Sequence, residues 1–441
     1  MTDTICYCGL CYLTYVRGMK WGMKQTGAAV FFCLLITLFA QQWIVRSPDN
    51  SPTVSTNQVR IALPRPAKIR APQLVPAASM EAEDSEPKAI NHTPLPKAPV
   101  VAVETHPGAE PPAELLERAR NGEASAQRDL GKFYNDHGNI EEANVWYVKA
   151  AEQGDAEAQR IMGIRYTFGQ GVERDMKEAG KWFLLAAQQG DVIAQRELGK
   201  VYGDQWKYTE SNEWYLKAAL QGDAEAQRIL GLRYTIGQGV ASNREEAVKW
   251  FTMAANQGDP VAQRELGKYY GEKWQLPESN EWYLKAASQG DIRAQHMMGV
   301  RYTFGQGVER NIEEAGKWFL LAAEQGDAQS QYSIGLRWAR GEAGEPKDFA
   351  EAAKWFRLSA EQGLDEAQLR LGQRYAEGSG VKQDFVEAYK WLTLAQTQGK
   401  VQGAGTFLDT IRPQMTPEQI AEAQEQVKAF VAKPPAPIKP Q

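Results

Sequence analysis

Cysteine is almost missing from this chain. The four present, Cys6, Cys8, Cys11 and Cys33, all lie within the first 33 of 441 residues. Everything downstream therefore folds without disulfides and without a Cys/His metal cluster of the usual spacing. The leading cysteine trio would need a fourth ligand to hold a metal, and no histidine or further cysteine is near; a start at Met19 or Met23 would remove all three. Histidine is as sparse: His92, His106, His137 and His296 are scattered, two of them in proline-rich sequence. No large excess of one charge sign exists either. A net charge of −5 gives no basic footprint, which argues against nucleic acid as a partner. No cofactor and no metal is expected.

Long apolar runs are also rare, with one exception. Gly27 to Val45 reads GAAVFFCLLITLFAQQWIV, preceded by Arg17, Lys20 and Lys24 and followed closely by Arg46 alone. At about 1.5 Å per residue such a helix is roughly 28 Å long, close to the hydrocarbon thickness of a bilayer. The charge asymmetry predicts residues 1–26 inside the cytoplasm and the remainder outside. Trp21 and Trp43 sit where interfacial aromatics belong. A cleaved signal peptide ending at Ala40 is the competing reading. Both export the rest of the chain, and the anchor at the inner membrane is the reading adopted, with the downstream part periplasmic or extracytoplasmic.

Residues 46–112 hold thirteen of the 22 prolines, in stretches such as LPRPAKIRAP and NHTPLPKAPV. They lack hydrophobic periodicity and cannot build a packed core. A disordered linker is expected here, with a reach of roughly 45 Å as a flexible coil and roughly 200 Å when stretched.

From residue 123 the chain repeats itself. A "QGD"-like landmark places its acidic position at Glu123, Asp155, Asp191, Asp223, Asp259, Asp291 and Asp327, with Leu364 in the same place. Intervals alternate between 32 and 36 before a last one of 37. Residues 155–190 and 291–326 share 27 of 36 positions, including a verbatim RYTFGQGVER. Each module reads as two helices. Ala158, Met162 and Tyr166 mark one face of the first, with Gly163 at a close helix approach. Ala179, Trp182, Phe183, Ala186 and Ala187 mark the buried stripe of the second. Capping boxes are expected at Asn139/Glu142, Asp175/Glu178, Asn243/Glu246, Asn311/Glu314, Asp348/Glu351 and Asp384/Glu387. The GQGV loops join the helices, Gly169 and Gly171 supplying positive φ. A phosphate cradle would need a preceding strand and a following Lys-Ser/Thr pair, and neither is there.

The pattern A-x-x-x-L-G-x-x-Y-x-x-G-x-G-V followed by A-x-x-W-[YF]-x-x-A-A-x-x-G resembles the Sel-one-like repeat, a relative of the tetratricopeptide repeat. It is met in full at Ala226, Leu230, Gly231, Tyr234, Gly237, Gly239, Val240, Ala247, Trp250, Phe251, Ala254, Ala255 and Gly258. The resemblance implies an all-α fold, an α/α solenoid of about eight helix-turn-helix repeats over residues 113–398 whose concave surface binds other proteins. A C-terminal capping region follows at 399–432, where Thr416, Pro417 and Gln419 start a helix with Ile420, Ala423, Val427 and Phe430 on its inner face. A disordered tail is expected at 433–441.

Two sets of residues are not demanded by the repeat. Trp206 and Trp274 fall outside the tryptophan slot of the second helices and occupy matching turns of two short modules, where the first short module has Gly138. They read either as interface anchors or as plugs filling the space of the missing loop. Arg128, Arg160, Arg196, Arg228 and Arg264 recur at one first-helix position, as a carboxylate-binding ladder or as a solvated face. Ser85–Lys88 and Ser379–Lys382 match the S-x-x-K of a β-lactamase-like hydrolase, a third reading after scaffold and glycan binder, but no KTG or SDN accompanies them, so no catalytic residue is assigned. The expected function is a membrane-tethered protein–protein interaction scaffold in the cell envelope, with envelope proteins as partners in the solenoid groove. A solenoid that binds cell-wall glycan is the alternative.

Overall fold

The structure is a computed structural model that describes residues 110–342, 346–399 and 401–435. The chain divides after Val75 into two units, and all described residues belong to the second. The 27–45 run, Ser85–Lys88 and nearly all of the proline-rich segment lie outside them. Among the described residues no helix is long and apolar enough to cross a membrane.

Nineteen α-helices and one 3-10 turn are present among the described residues. Sixteen of the helices, each thirteen residues long, form eight consecutive pairs. The first helices of repeats 1 to 8 are Ala124–Asp136, Ala156–Phe168, Val192–Asp204, Ala224–Ile236, Pro260–Glu272, Ile292–Phe304, Ala328–Arg340 and Asp365–Glu377. Their second helices are Ile140–Glu152, Met176–Gln188, Tyr208–Leu220, Arg244–Asn256, Leu276–Ser288, Ile312–Glu324, Phe349–Glu361 and Phe385–Thr397. Each helix packs chiefly on its neighbours in sequence, as a solenoid requires.

The core is a chain of local clusters between repeats. One contains Ala143 and Tyr147 from repeat 1, then Ala158, Met162 and Trp182 from repeat 2. The next contains Ala179 and Phe183 from repeat 2 and Leu198 from repeat 3, with Trp214 against it. The conserved spacing of glycine in the first helix has a steric cause. A Cβ on Gly163 or Gly231 would lie 2.6 Å from the ring of Phe183 or Phe251, so the helix pair closes only on glycine. Of the eight slot tryptophans, Trp146, Trp182, Trp250 and Trp391 are buried, while Trp214, Trp282, Trp318 and Trp355 are half-buried at the edges of the same kind of cluster.

Both ends are covered. Helix Ala113–Arg120 packs Leu115, Leu116 and Ala119 onto repeat 1. At the other end Ala423 is buried, and Ile420, Val427 and Phe430 pack on the last repeat beside Trp391. Thr416 and Gln419 make the reciprocal capping box expected of them. A second capping helix, Ala404–Ile411, buries Ala404, Leu408 and Ile411 and had no clear sequence signal. The expected disordered tail starts too early: Lys433 donates its backbone N–H to the Glu361 carbonyl at 2.8 Å and pairs with the Glu361 carboxylate.

The other capping boxes are one-sided. Asn139, Asp175, Asn243, Asn311, Asp348 and Asp384 each accept the backbone N–H of the N3 glutamate. The glutamate side chains turn away from the cap instead. Glu178, Glu246, Glu314 and Glu351 pair with the lysine three residues on, and Glu142 accepts the Trp146 indole N–H.

Candidate interaction surfaces

The arginine ladder is built into the joints between repeats. Each N-cap aspartate uses its two oxygens differently. Oδ1 of Asp155, Asp191, Asp223, Asp259 and Asp291 accepts the N–H of the alanine three residues on. Oδ2 of the same five receives the guanidinium of Arg128 at 2.8 Å, Arg160 at 3.1 Å, Arg196 at 2.8 Å, Arg228 at 3.1 Å and Arg264 at 2.6 Å. Each of these arginines therefore ties the first helix of its repeat to the cap of the next repeat. In repeat 6 His296 stands in the arginine's place, its Nδ1 3.4 Å from Asp327 and 2.9 Å from the Ser330 hydroxyl. The five guanidinium groups are neither a solvated face nor a free carboxylate clamp: their charge is spent inside the array.

Alongside runs a second ladder that the sequence reading missed. The glutamine of each AQR-type triplet is buried. Gln159 donates to the Ala151 carbonyl of repeat 1 at 3.0 Å and accepts from Gln189 at 2.8 Å; Gln227 does the same with Ala219 and Gln257. Its recurrence at one position in all eight repeats was the available signal.

The long loops also cross a repeat boundary. Gly171, Gly239 and Gly307 have φ of 66°, 72° and 71°, and any Cβ there would strike Ile140, Tyr208 or Leu276 at the start of the preceding second helix. Asn144, Asn212 and Asn280 of the short repeats donate to the loop carbonyls of Gln170, Gln238 and Gln306 at 2.8–2.9 Å. A short repeat and the long one after it are thus one mechanical unit. Between repeat 4 and the short repeat 5, where no long loop covers the boundary, a slot of about 230 Å³ opens, with Arg244, Val248, Phe251, Lys268 and Tyr269 among its walls.

Trp206 and Trp274 do not fill such a slot. They are 78% and 83% exposed. Each ends a first helix in a Schellman arrangement. Trp206 N–H donates to Gly203 O and Lys207 N–H to Tyr202 O, and Trp274 and Gln275 repeat the pattern with Gly271 and Tyr270. The position between those two bonds is left-handed and normally glycine, as at Gly138 with φ 78°. Trp206 and Trp274 hold φ of 64° and 59°, and they are the non-glycine residues with positive φ among those described. A left-handed tryptophan costs roughly 1–2 kcal/mol, and no burial offsets it. Trp206 meets Tyr208 edge-on at 5.9 Å, and Tyr208 is also the floor beneath Gly239.

Ser379 receives a hydrogen bond from Arg374 at 3.0 Å in the loop that joins the helices of repeat 8, and Lys382 is exposed on the same loop. Among the described residues no group of three or more His, Cys, Asp or Glu could hold a metal ion.

Fold and surface together define a class: an α/α solenoid whose successive repeats are tied by recurring arginine–aspartate and glutamine bonds, with Trp206 and Trp274 exposed at its turns. Eight consecutive segments, 124–155, 156–191, 192–223, 224–259, 260–291, 292–327, 328–364 and 365–400, match the Sel1 repeat, and the chain belongs to the Sel1 repeat family. Among solved structures it is similar to c5321, a protective antigen present in uropathogenic Escherichia coli strains and displaying an SLR fold. That match has 30% identity and a TM-score of 0.51, covering 72% of this chain and 78% of that one. It is also similar to a Sel1 repeat protein from Oxalobacter formigenes, with 32% identity and a TM-score of 0.55, covering 68% and 89%. No curated protein matches. Sel1 repeat proteins generally mediate protein–protein interaction.

Proposed function

We propose that this chain is a membrane-tethered scaffold of the cell envelope that holds a partner protein against the turn edge of its solenoid. The observation that carries the reading is the pair Trp206 and Trp274. Two large aromatic side chains are held in left-handed turns at a conformational cost and remain almost wholly exposed. Backbone strain retained without a packing reward points to a functional requirement, and tryptophan is, with tyrosine and arginine, enriched among interface hot spots. The arginine ladder is assigned to the joints rather than to the partner. The anchor rests on Arg17, Lys20 and Lys24 before the 27–45 run, and the reach on the proline content of 46–112.

Affinity capture from solubilised envelope tests this, with the full-length chain as bait and Trp206→Gly/Trp274→Gly as control. A protein retained by the parent chain and lost by the double variant is the expected result. Equal retention by both baits, or recovery of cell-wall fragments alone, would contradict it and favour glycan.

A further inference from the structure

The exposed edge is longer than its two tryptophans. Phe168, Ile236 and Phe304 close the first helices of repeats 2, 4 and 6 and are 68%, 68% and 69% exposed. With Trp206 and Trp274 from repeats 3 and 5 they put one large apolar side chain on the same turn edge in each of five consecutive repeats. The series stops at both ends. Repeat 1 has Asp136 and Gly138 there, repeat 7 Arg340 and repeat 8 Glu377.

Read along the edge the series is Phe, Trp, Ile, Trp, Phe, the same in either direction with Ile236 at its centre. The loop residues of repeats 2, 4 and 6 obey the same symmetry. Repeats 2 and 6 carry exposed Glu173-Arg174 and Glu309-Arg310, whereas repeat 4 carries Ala241-Ser242 in that place. A two-fold axis through repeat 4 would set Glu173 against Arg310 and Arg174 against Glu309 of another copy. At the axis identical residues must meet, and there the chain has no charge.

Deepening the reading of Trp206 and Trp274 as protein-contact residues, and resting on it, we infer that the partner on this edge is a second copy of this chain, docked antiparallel about a two-fold axis at Ile236. A two-fold contact is isologous, so its surface must be self-complementary, which the palindromic apolar series is, with charges exchanged between repeats 2 and 6. The five side chains expose on the order of 700 Å² per copy, close to the roughly 800 Å² per partner of a standard stable interface. Phe168 meets the other copy's Phe304, Trp206 meets its Trp274, and Ile236 meets itself.

The test is disulfide trapping in the purified full-length chain with Cys6, Cys8, Cys11 and Cys33 replaced by serine. Ile236→Cys should give a disulfide-linked dimer by itself. Trp206→Cys should not, while an equimolar mixture of Trp206→Cys and Trp274→Cys chains should link. Sedimentation of the unlinked chain should give twice the chain mass, reduced to the single mass by Ile236→Asp. A chain that sediments singly and gives no Ile236→Cys dimer overturns the inference. So does Trp206→Cys linking to its own copy as readily as to Trp274→Cys. If the single chain still captures a tryptophan-dependent partner from envelope, the inference alone fails and the scaffold reading stands.

Discussion

The guanidinium of Arg196 lies 2.8 Å from Oδ2 of Asp223, while Oδ1 of the same carboxylate accepts the N–H of Ala226 at 2.7 Å. One carboxylate thus caps the helix that it starts and anchors the repeat before it. The arginine is about a quarter exposed and the aspartate a tenth, so this pair is better shielded than an ordinary surface bridge. Asp223→Ala loses both the cap and the pair and should cost about 2 kcal/mol; Arg196→Ala should cost about 1 kcal/mol. Thermal unfolding of the two variants and of the double variant checks this. The double variant should cost less than the two singles added, because they remove the same bond.

Two helical glycines should respond to alanine with opposite sign. At Gly231 the new Cβ would sit 2.6 Å from the Phe251 ring, and at Gly180 it would meet only Val201 at 3.5 Å. Gly231→Ala should destabilise by about 1–3 kcal/mol through overpacking. Gly180→Ala should stabilise by up to about 1 kcal/mol through helix propensity. Denaturant midpoints distinguish them.

Trp206→Gly and Trp274→Gly should each raise stability, by about 0.5–1 kcal/mol, because left-handed strain is relieved and little packing is lost. A gain in midpoint together with a loss of partner capture would mark both as residues kept for binding.

Acid should loosen the joint between repeats 6 and 7. Burial raises the Asp327 carboxyl, but hydrogen bonds from His296 and Ser330 outweigh it and hold the group below its ordinary value of 3.8. A carboxyl lowered in the folded state contributes stability that is complete above its unfolded value and is lost as pH falls through the folded one. Parent and Asp327→Asn should therefore differ above about pH 4 and converge below it, in urea midpoints measured across that range. His296→Arg should restore the pairing found in repeats 1 to 5 and raise the midpoint at neutral pH.

Most of the array was legible because its determinants are local. Spacing located the repeats, glycine position located the helix approach, and Thr416 with Gln419 located the last helix. What stayed hidden lies between repeats. Arg128 meets a carboxylate 27 residues on and Arg160 one 31 residues on, and a helical face identifies neither partner. The capping glutamates were misjudged because a lysine at i+3 or a tryptophan at i+4 competes for the same oxygens. That Trp206 takes a left-handed turn position and stands clear of the core is not announced by its residue type, since glycine is usual there.

The most direct test of the central claim, that the turn edge contacts protein, is photocrosslinking of the full-length chain in intact cells. A photoreactive side chain would be placed in turn at 206, 274 and 138. The account predicts discrete protein adducts from 206 and 274, whether to another protein or to a second copy, and none from 138. Adducts from 138 alone, or no protein adduct at either tryptophan position, would contradict it.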